Sequence, residues 1–130
     1  MNTGMRKKVI IVDDDDDILQ IVRYILEEQG IDVEAVNDIV SFQKLDQKNT
    51  DLILLDDWLN DGYGSELCKT LKSHSNTQNI TIILISAANQ LVSIANKSGA
   101  DDFLAKPFDI DDLLTKVDFW LAKHSYEKTS

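Results

Sequence analysis

The segment LILLDD at residues 52–57 places four consecutive apolar residues directly before two aspartates. A second segment of the same kind, VIIVDD at residues 9–14, lies near the start of the chain. Uninterrupted apolar runs of this length predict strands that are buried on both faces, as in parallel sheets covered by helices. The two segments therefore predict the centre of a parallel sheet, with carboxylates at the end of each central strand.

Strand-like and helix-like segments alternate along the rest of the chain. Three further runs predict strands at 31–36, 80–85 and 102–105. Because parallel strands joined by helices need right-handed crossovers, the alternation predicts an α/β fold with a single, doubly wound, five-stranded parallel sheet and helices on both faces. The first predicted helix has its periodic apolar residues between 18 and 26, with Asp15 as N-cap and Gly30 as the residue that ends it. The other predicted helices cover about 38–48, 65–73, 90–98 and 109–123.

Length and composition restrict the classes of protein that this chain can represent. Its 130 residues fit one compact domain. The formal net charge of −10 would repel a nucleic-acid backbone, so we expect no direct nucleic-acid binding. No apolar run approaches the roughly 20 residues that span a bilayer, so we expect no membrane insertion. Cys68 is the single cysteine and excludes an internal disulfide, which favours a cytoplasmic location.

Chemically useful side chains stand where the predicted strands end. Asp13 and Asp14 follow the first strand, Asp56 the third, Ser86 the fourth and Lys106 the fifth. The carboxyl ends of parallel strands form the ligand-binding edge of such sheets, so we expect these side chains to meet. Clustered carboxylates favour a cation, and Mg²⁺ prefers oxygen ligands. The pattern predicts Asp56 as a nucleophile, with Mg²⁺ and Lys106 neutralising a phosphoryl group to which Ser86 donates a hydrogen bond.

Taken together, the chain resembles the receiver domains of two-component response regulators. The resemblance implies a receiver domain over 6–123, tails at 1–5 and 124–130, and no output domain in this chain. It also implies a flavodoxin-like strand order of 2-1-3-4-5. The matching segments are VIIVDD at 9–14, DLILLD at 51–56, Gly64, ILISA at 83–87 and GADDFLAKPF at 99–108.

The resemblance implies how the phosphoryl group arrives and what holds the metal. Asp56 would receive the phosphoryl group from a phosphohistidine on a sensor histidine kinase or a histidine phosphotransfer protein. Mg²⁺ ligation would fall on Asp14, Asp56 and the backbone carbonyl of Trp58, with Asp13 acting through water.

The resemblance also implies how the signal would leave the site. Ser86 and Lys106 would take the hydroxyl and cationic roles, and Phe103 the position of an aromatic switch. The Lys106–Pro107 bond is expected to be cis. The altered surface would be read by a downstream protein target that the sequence does not identify.

Three features depart from the pattern that is usual in this family. Asp57 stands where an apolar residue is common, which leaves Asp57 as an alternative nucleophile, although the spacings to Gly64 and Ser86 favour Asp56. Asn60 replaces a common proline. The segment from Ser86 to Gly99 is about two residues shorter than usual, which trims the fourth predicted helix, so the face presented to partners is expected to differ.

Two other functions are compatible with parts of the pattern. A small phosphatase of the haloacid dehalogenase type also uses an aspartate nucleophile and Mg²⁺, but Trp58 stands where it needs a second acid. A degenerate receiver would serve only as a protein-interaction module. Because all five site positions are retained, we favour a phosphoryl-accepting switch that is not itself an enzyme.

Overall fold

The structure is a computed structural model that describes residues 6–87, 89 and 91–129, with only the main chain described for 91–92 and 124–129. Strands and helices alternate along this part of the chain. The strands are β1 (Lys8–Val12), β2 (Asp32–Val36), β3 (Leu52–Asp56), β4 (Trp58–Leu59), β5 (Gly62–Tyr63), β6 (Thr81–Ala87) and β7 (Asp102–Lys106). The helices are α1 (Asp16–Glu28), α2 (Ile39–Gln43), α3 (Gly64–Lys72), α4 (Leu91–Ser98) and α5 (Ile110–Thr129).

Five of the strands form one sheet in which every neighbouring pair is parallel. Their order is β2-β1-β3-β6-β7, which is 2-1-3-4-5 when these five strands are counted along the chain. The expected five-stranded parallel sheet and its order are therefore confirmed. The register places Asp56 beside Ile85 and Ala87 beside Lys106, so these strands end at the same edge of the sheet.

Apolar side chains cover both faces of the sheet. One buried cluster lies under α1 and α5, with Val22 and Val117 among its members. The other lies under α2, α3 and α4, which contribute Phe42, Leu67 and Ala95. Because helices cover both of its faces, β3 is buried at every position, and this explains why its sequence is apolar without alternation.

The ends of α1 agree with the sequence prediction. The Asp15 carboxylate accepts hydrogen bonds from the backbone N–H groups of Asp17 and Ile18, as an N-cap residue does. Gly30 follows the helix with φ +84°, a left-handed conformation that glycine adopts without steric cost. Both predicted caps are therefore confirmed.

Two helices differ in length from the prediction. Helix α2 spans five residues instead of about 38–48, because the following main chain turns and its carbonyls at Asp46 and Lys48 accept hydrogen bonds from the Lys8 ammonium. Helix α5 continues past Lys123 to Thr129, since no glycine or proline follows to end it. Residues 124–129 therefore prolong a helix, whereas residues 1–5 lie outside the described part of the chain.

A short antiparallel hairpin follows β3 and was not predicted. It consists of β4 and β5, which pair Trp58 with Tyr63 across a turn at 60–61. The Asp61 carboxylate accepts hydrogen bonds from the backbone N–H groups of Ile39 and Val40 and thereby joins the hairpin to the start of α2. Within the described chain, none of the helices combines the length and apolar character needed to cross a membrane.

Candidate functional site

The ends of β1, β3 and β7 bring three of the predicted side chains into contact. Lys106 Nζ lies 3.1 Å from Asp13 Oδ2 and 3.4 Å from Asp56 Oδ1. Asp13 is 1% exposed and Asp56 is 4% exposed, so both carboxylates are almost completely removed from water. The sheet register therefore assembles the buried pair and its cation from residues that are far apart in sequence.

Asp14 completes a cluster of three carboxylates. One oxygen each from Asp13, Asp14 and Asp56 lies within 4.8 Å of the others. Asp13 Oδ1 accepts a hydrogen bond of 2.9 Å from the backbone N–H of Asp15, whereas the buried Asp13 Oδ2 accepts none from the described residues and meets Lys106 only as an ion pair. Three carboxylates with one ammonium leave an excess of negative charge, and oxygen ligands of this kind suit Mg²⁺.

Burial and mutual repulsion shift the proton affinities of this cluster. Burial, and after it the Asp13 carboxylate, raise the pKa of Asp56 to about 6 against the opposing effect of Lys106. Burial is also the main reason why the pKa of Asp13 is raised. Burial alone would lower the pKa of Lys106, but the two carboxylates outweigh it, so that this pKa is raised. At neutral pH the ammonium therefore stays charged, and a further cation would relieve the carboxylates.

Asp57 faces away from this cluster, although it adjoins Asp56 in sequence. Its Oδ1 accepts a hydrogen bond of 2.9 Å from the backbone N–H of Ser65, in the first turn of α3. Its main chain is bonded on both sides, to the carbonyl of Ile85 and to the N–H of Gly64. Asp57 thus supplies the capping acceptor that Tyr63, at the N-cap position, does not provide.

Gly64 lies directly against the main chain of the candidate acceptor. A Cβ atom on Gly64 would collide with the carbonyl oxygen of Asp56 and crowd its carbonyl carbon. From the sequence, Gly64 was a position that matched the family and whose spacing favoured Asp56 as the acceptor. The structure gives the physical reason for a glycine there: any side chain would displace the backbone that carries Asp56.

The other predicted residues lie around the cluster. Ser86 is half-buried in β6, next to Ile85, which pairs with Asp56. Trp58 is 71% exposed and meets Tyr63 edge to face, with ring centroids 5.8 Å apart. The Lys106–Pro107 peptide bond is cis, as predicted.

Phe103 belongs to a polar and aromatic group on the outer side of β7 that the sequence analysis missed. Asp102 accepts hydrogen bonds from Lys116 Nζ at 3.0 Å and from Trp120 Nε1 at 2.9 Å. The same ammonium lies 5.9 Å from the centroid of the half-buried Phe103 ring. No local pattern signals these contacts, because Asp102 lies 14 and 18 residues before its two partners.

Comparison with known proteins agrees with this geometry. Residues 9–118 match the family described as the response regulator receiver domain. The chain is 35% identical over 103 residues to the DNA-binding dual master transcriptional regulator RpaA of Synechocystis, which covers 77% of this chain and 43% of RpaA. It is 31% identical over 116 residues to the phosphate regulon transcriptional regulatory protein PhoB of Escherichia coli, covering 87% of this chain and 51% of PhoB.

Solved structures are similar over nearly the whole chain. A CheY-like response regulator receiver domain protein from Methanospirillum hungatei superposes with a TM-score of 0.82 at 30% identity, covering 94% of this chain and 98% of that one. The chain spans about half the length of the two transcriptional regulators that it matches. The similarity therefore concerns one domain of those longer proteins.

Proposed function

Because the chain belongs to the response regulator receiver domain family, we propose that it is a phosphoryl-accepting signalling switch with Asp56 as the acceptor. The observation that carries this proposal is the cluster of Asp13, Asp14 and Asp56 with Lys106 at one edge of the sheet. The donor is a phosphohistidine on a sensor histidine kinase or a histidine phosphotransfer protein of a two-component system or phosphorelay.

The transfer is a displacement at phosphorus. An oxygen of the Asp56 carboxylate attacks the phosphoryl group, and a P–O bond forms as the P–N bond to the donor imidazole breaks. The electron pair of the P–N bond stays on the imidazole nitrogen, which takes up a proton from solvent. Lys106 Nζ already lies 3.4 Å from Asp56 Oδ1. The ammonium is therefore in place to neutralise charge on the phosphoryl oxygens, and it does not have to be removed from water during the step.

Mg²⁺ fits the acidic cluster, since Asp13, Asp14 and Asp56 offer oxygens within 4.8 Å of one another and one buried Asp13 oxygen accepts no hydrogen bond. Asp14, Asp56 and the main-chain carbonyl of Trp58 would hold the ion directly, with Asp13 acting through water. When bound, the ion supplies positive charge to the phosphoryl oxygens. The acceptor carboxylate can then approach an anionic donor without strong repulsion.

Ser86 and Phe103 would convert the covalent change into a change of surface. The phosphoryl group adds acceptor oxygens and negative charge at Asp56. The Ser86 hydroxyl, one residue beyond the pairing partner of Asp56, would donate a hydrogen bond to them. As Ser86 moves, Phe103 would shift towards the space it leaves. A downstream protein would then bind the altered surface.

The same proposal implies where in the cell the protein acts and which partners it does not bind. We place it in the cytoplasm, where its kinase partner would present phosphohistidine. The acidic domain itself would not bind nucleic acid or membrane, and it would act as a switch and not as an enzyme. Two alternatives are a degenerate receiver that binds partners without phosphorylation and a small phosphatase of the haloacid dehalogenase type. Unlike the switch, both predict that no labelled form accumulates.

One experiment separates these functions. The protein is incubated with acetyl phosphate and Mg²⁺ and then analysed by intact-mass spectrometry and peptide mapping. A switch gains one acid-stable, base-labile phosphoryl group on the peptide that contains Asp56. A degenerate receiver gains none, and a phosphatase turns over acetyl phosphate continuously without accumulating the labelled form.

A further inference from the structure

Asp57 is a buried carboxylate directly after the candidate acceptor Asp56. It is 6% exposed, and among the described residues no lysine or arginine lies within ion-pair distance of it. Removing an unpaired charge from water costs free energy that an apolar side chain of similar size would avoid. What this carboxylate gains is a hydrogen bond to the first turn of α3, where the helix dipole also favours negative charge. A carboxylate at this place therefore indicates a role that a leucine would not fill.

Asp57 is bonded on three sides at the start of the connection from β3 to α3. Its N–H donates to the carbonyl of Ile85 at 2.8 Å, and its own carbonyl accepts from the N–H of Gly64 at 2.8 Å. Its side chain accepts from the N–H of Ser65 at 2.9 Å. One residue thus joins the end of β3 to β6 and to the first two residues of α3.

These bonds close the base of the hairpin formed by β4 and β5. The hairpin contains only two residue pairs, and the exposed side chain of Trp58 does not fix its main chain by packing. The tip is held elsewhere, by the Asp61 carboxylate on the first N–H groups of α2. The position of the Trp58 main chain therefore depends on Asp57 on one side and on the buried Leu59 on the other.

The hydrogen bond between Ser65 and Asp57 also bears on the acceptor itself. Gly64, the residue before Ser65, lies directly against the Asp56 carbonyl. Because the Asp57 carboxylate holds the first turn of α3, it keeps this close contact in place. The N-cap residue Tyr63 offers no side-chain bond that could replace it. A shift of α3 would therefore reach Asp56 through Gly64.

We propose that Asp57 is a positioning residue of the acceptor site. Through its hydrogen bond to Ser65 it holds the main chain of Asp56 and Trp58, and it thereby sets the affinity for Mg²⁺ and the rate of phosphoryl transfer. The proposal rests on the function proposed above, because it takes Asp56 as the acceptor and the Trp58 carbonyl as a metal ligand. The hydrogen bond, and not the volume or the charge of the side chain, is the feature that the site needs.

Two substitutions separate the hydrogen bond from the other properties of the side chain. Asp57→Leu has a similar size but no acceptor, whereas Asp57→Asn keeps an acceptor oxygen without the charge. The affinity for Mg²⁺ is measured from Trp58 fluorescence without any phosphodonor, and labelling by acetyl phosphate is timed by intact-mass spectrometry.

We expect Asp57→Leu to bind Mg²⁺ about tenfold more weakly and to be labelled about tenfold more slowly at limiting Mg²⁺, as when other residues that orient metal ligands are removed. Raising the Mg²⁺ concentration should restore most of the labelling rate, because the ligands themselves are still present. Asp57→Asn should stay within about twofold of the unaltered protein in both measurements, since its oxygen can accept the same hydrogen bond.

Hydrogen exchange measured in EDTA gives a readout that does not depend on the metal. The backbone N–H groups of residues 58–65 should exchange faster in Asp57→Leu than in the unaltered protein, because the base of the hairpin has lost one of its bonds. In Asp57→Asn they should exchange at the unaltered rate. The comparison tests the anchoring of the main chain separately from the binding of the ion.

Asp51→Leu is the matched control. Asp51 is 4% exposed and its carboxylate also accepts a backbone hydrogen bond of 2.9 Å, from the N–H of Lys8, but it lies before the opposite end of β3. Asp51→Leu should destabilise the protein without changing the affinity for Mg²⁺ or the labelling of the folded protein. Urea denaturation gives the stability of each variant, and circular dichroism checks that it is folded. Asp57→Ala removes the same acceptor without adding bulk, and it takes the place of Asp57→Leu if that variant does not fold.

The outcomes separate the two proposals. Unaltered Mg²⁺ affinity and labelling in Asp57→Leu, an equal loss in Asp57→Asn, or an equal loss in Asp51→Leu would overturn the positioning role and leave the switch intact. Failure of the unaltered protein to accept a phosphoryl group from acetyl phosphate would overturn the proposed function.

Discussion

Gly64 packs so closely against Asp56 that a single added methyl group would collide with the Asp56 carbonyl. The contact joins the first residue of α3 to the last residue of β3. The position of the candidate acceptor therefore depends on a residue with no functional group.

Gly64→Ala should destabilise the protein by about 2 kcal/mol or more, because main-chain atoms cannot move aside as a flexible side chain can. It should also slow labelling of Asp56 by acetyl phosphate, since the acceptor backbone must shift. Urea denaturation and mass spectrometry measure the two effects. Gly30→Ala is the control: Gly30 has φ +84° with nothing within 4 Å of the added carbon, so it should cost about 1 kcal/mol and leave labelling unchanged.

Asp56→Asn should abolish labelling by acetyl phosphate, because the amide is not a nucleophile at phosphorus. Asp57→Asn should leave labelling largely intact, since the asparagine oxygen can still accept the hydrogen bond from the Ser65 N–H. Peptide mapping of the two labelled proteins makes the comparison. Persistent labelling of Asp56→Asn, or its loss only in Asp57→Asn, would transfer the acceptor role to Asp57.

Asp14→Ala should weaken Mg²⁺ binding, because it removes one of three clustered oxygens and leaves too few ligands for a tight site. Titration with Mg²⁺ can be followed by the fluorescence of Trp58, which lies two residues from Asp56 and is exposed. Asp17→Ala removes an exposed carboxylate that is outside the cluster, so its titration should match that of the unaltered protein. An unchanged titration for Asp14→Ala would contradict the metal site.

Folding stability without Mg²⁺ should depend on the protonation of Asp56. Its pKa rises from 3.8 to about 6 on folding, so the folded state binds the proton more tightly than the unfolded state does. The stabilisation from protonated Asp56 is fully present below about pH 4 and is lost as pH rises through about 6. Asp56→Asn mimics the neutral form and should be more stable than the unaltered protein at pH 7.5, by an amount on the order of 1–3 kcal/mol.

Urea denaturation in the presence of EDTA, at several pH values, measures this difference. The gap between Asp56→Asn and the unaltered protein should close as the pH is lowered towards 4. Asp17→Asn, at an exposed position, should show no comparable gap. A variant at position 56 that is less stable at neutral pH would show that the ion pair with Lys106 outweighs the cost of burial.

Phe103 should exchange between rotamers before phosphorylation. A phenylalanine lacks the hydroxyl that would favour an outward, solvent-bonded state, and its ring here is half-buried with the Lys116 ammonium 5.9 Å from its centroid. A ligand or modification can only shift states that the protein already samples. NMR relaxation dispersion on the labelled Phe103 ring measures the exchange. A ring held in one outward rotamer, without exchange, would rule out this route for the signal.

Much of the architecture could be predicted because it depends on patterns of apolar residues within short segments of the sequence. The apolar runs at 9–12 and 52–55 required strands covered on both faces, and their alternation with helical periodicity required a parallel sheet. The ends of these strands then located Asp13, Asp56 and Lys106 at one edge. The strand order and the cis bond before Pro107 came from the family resemblance.

What the sequence determined by itself is therefore the five strands of the main sheet, their parallel arrangement and the residues at their ends. The tertiary structure alone decided that Asp57 caps α3 while Asp56 meets Lys106. It also decided that Asp102 accepts hydrogen bonds from Lys116 and Trp120, and that the Lys8 ammonium donates to the main chain after α2. The periodicity of apolar residues indicates which face of a helix or strand is buried. A hydrogen bond to a residue distant in sequence depends instead on which segments the fold brings next to each other. Two adjacent aspartates with the same intrinsic chemistry thus acquire different roles from the partners that the fold brings to them.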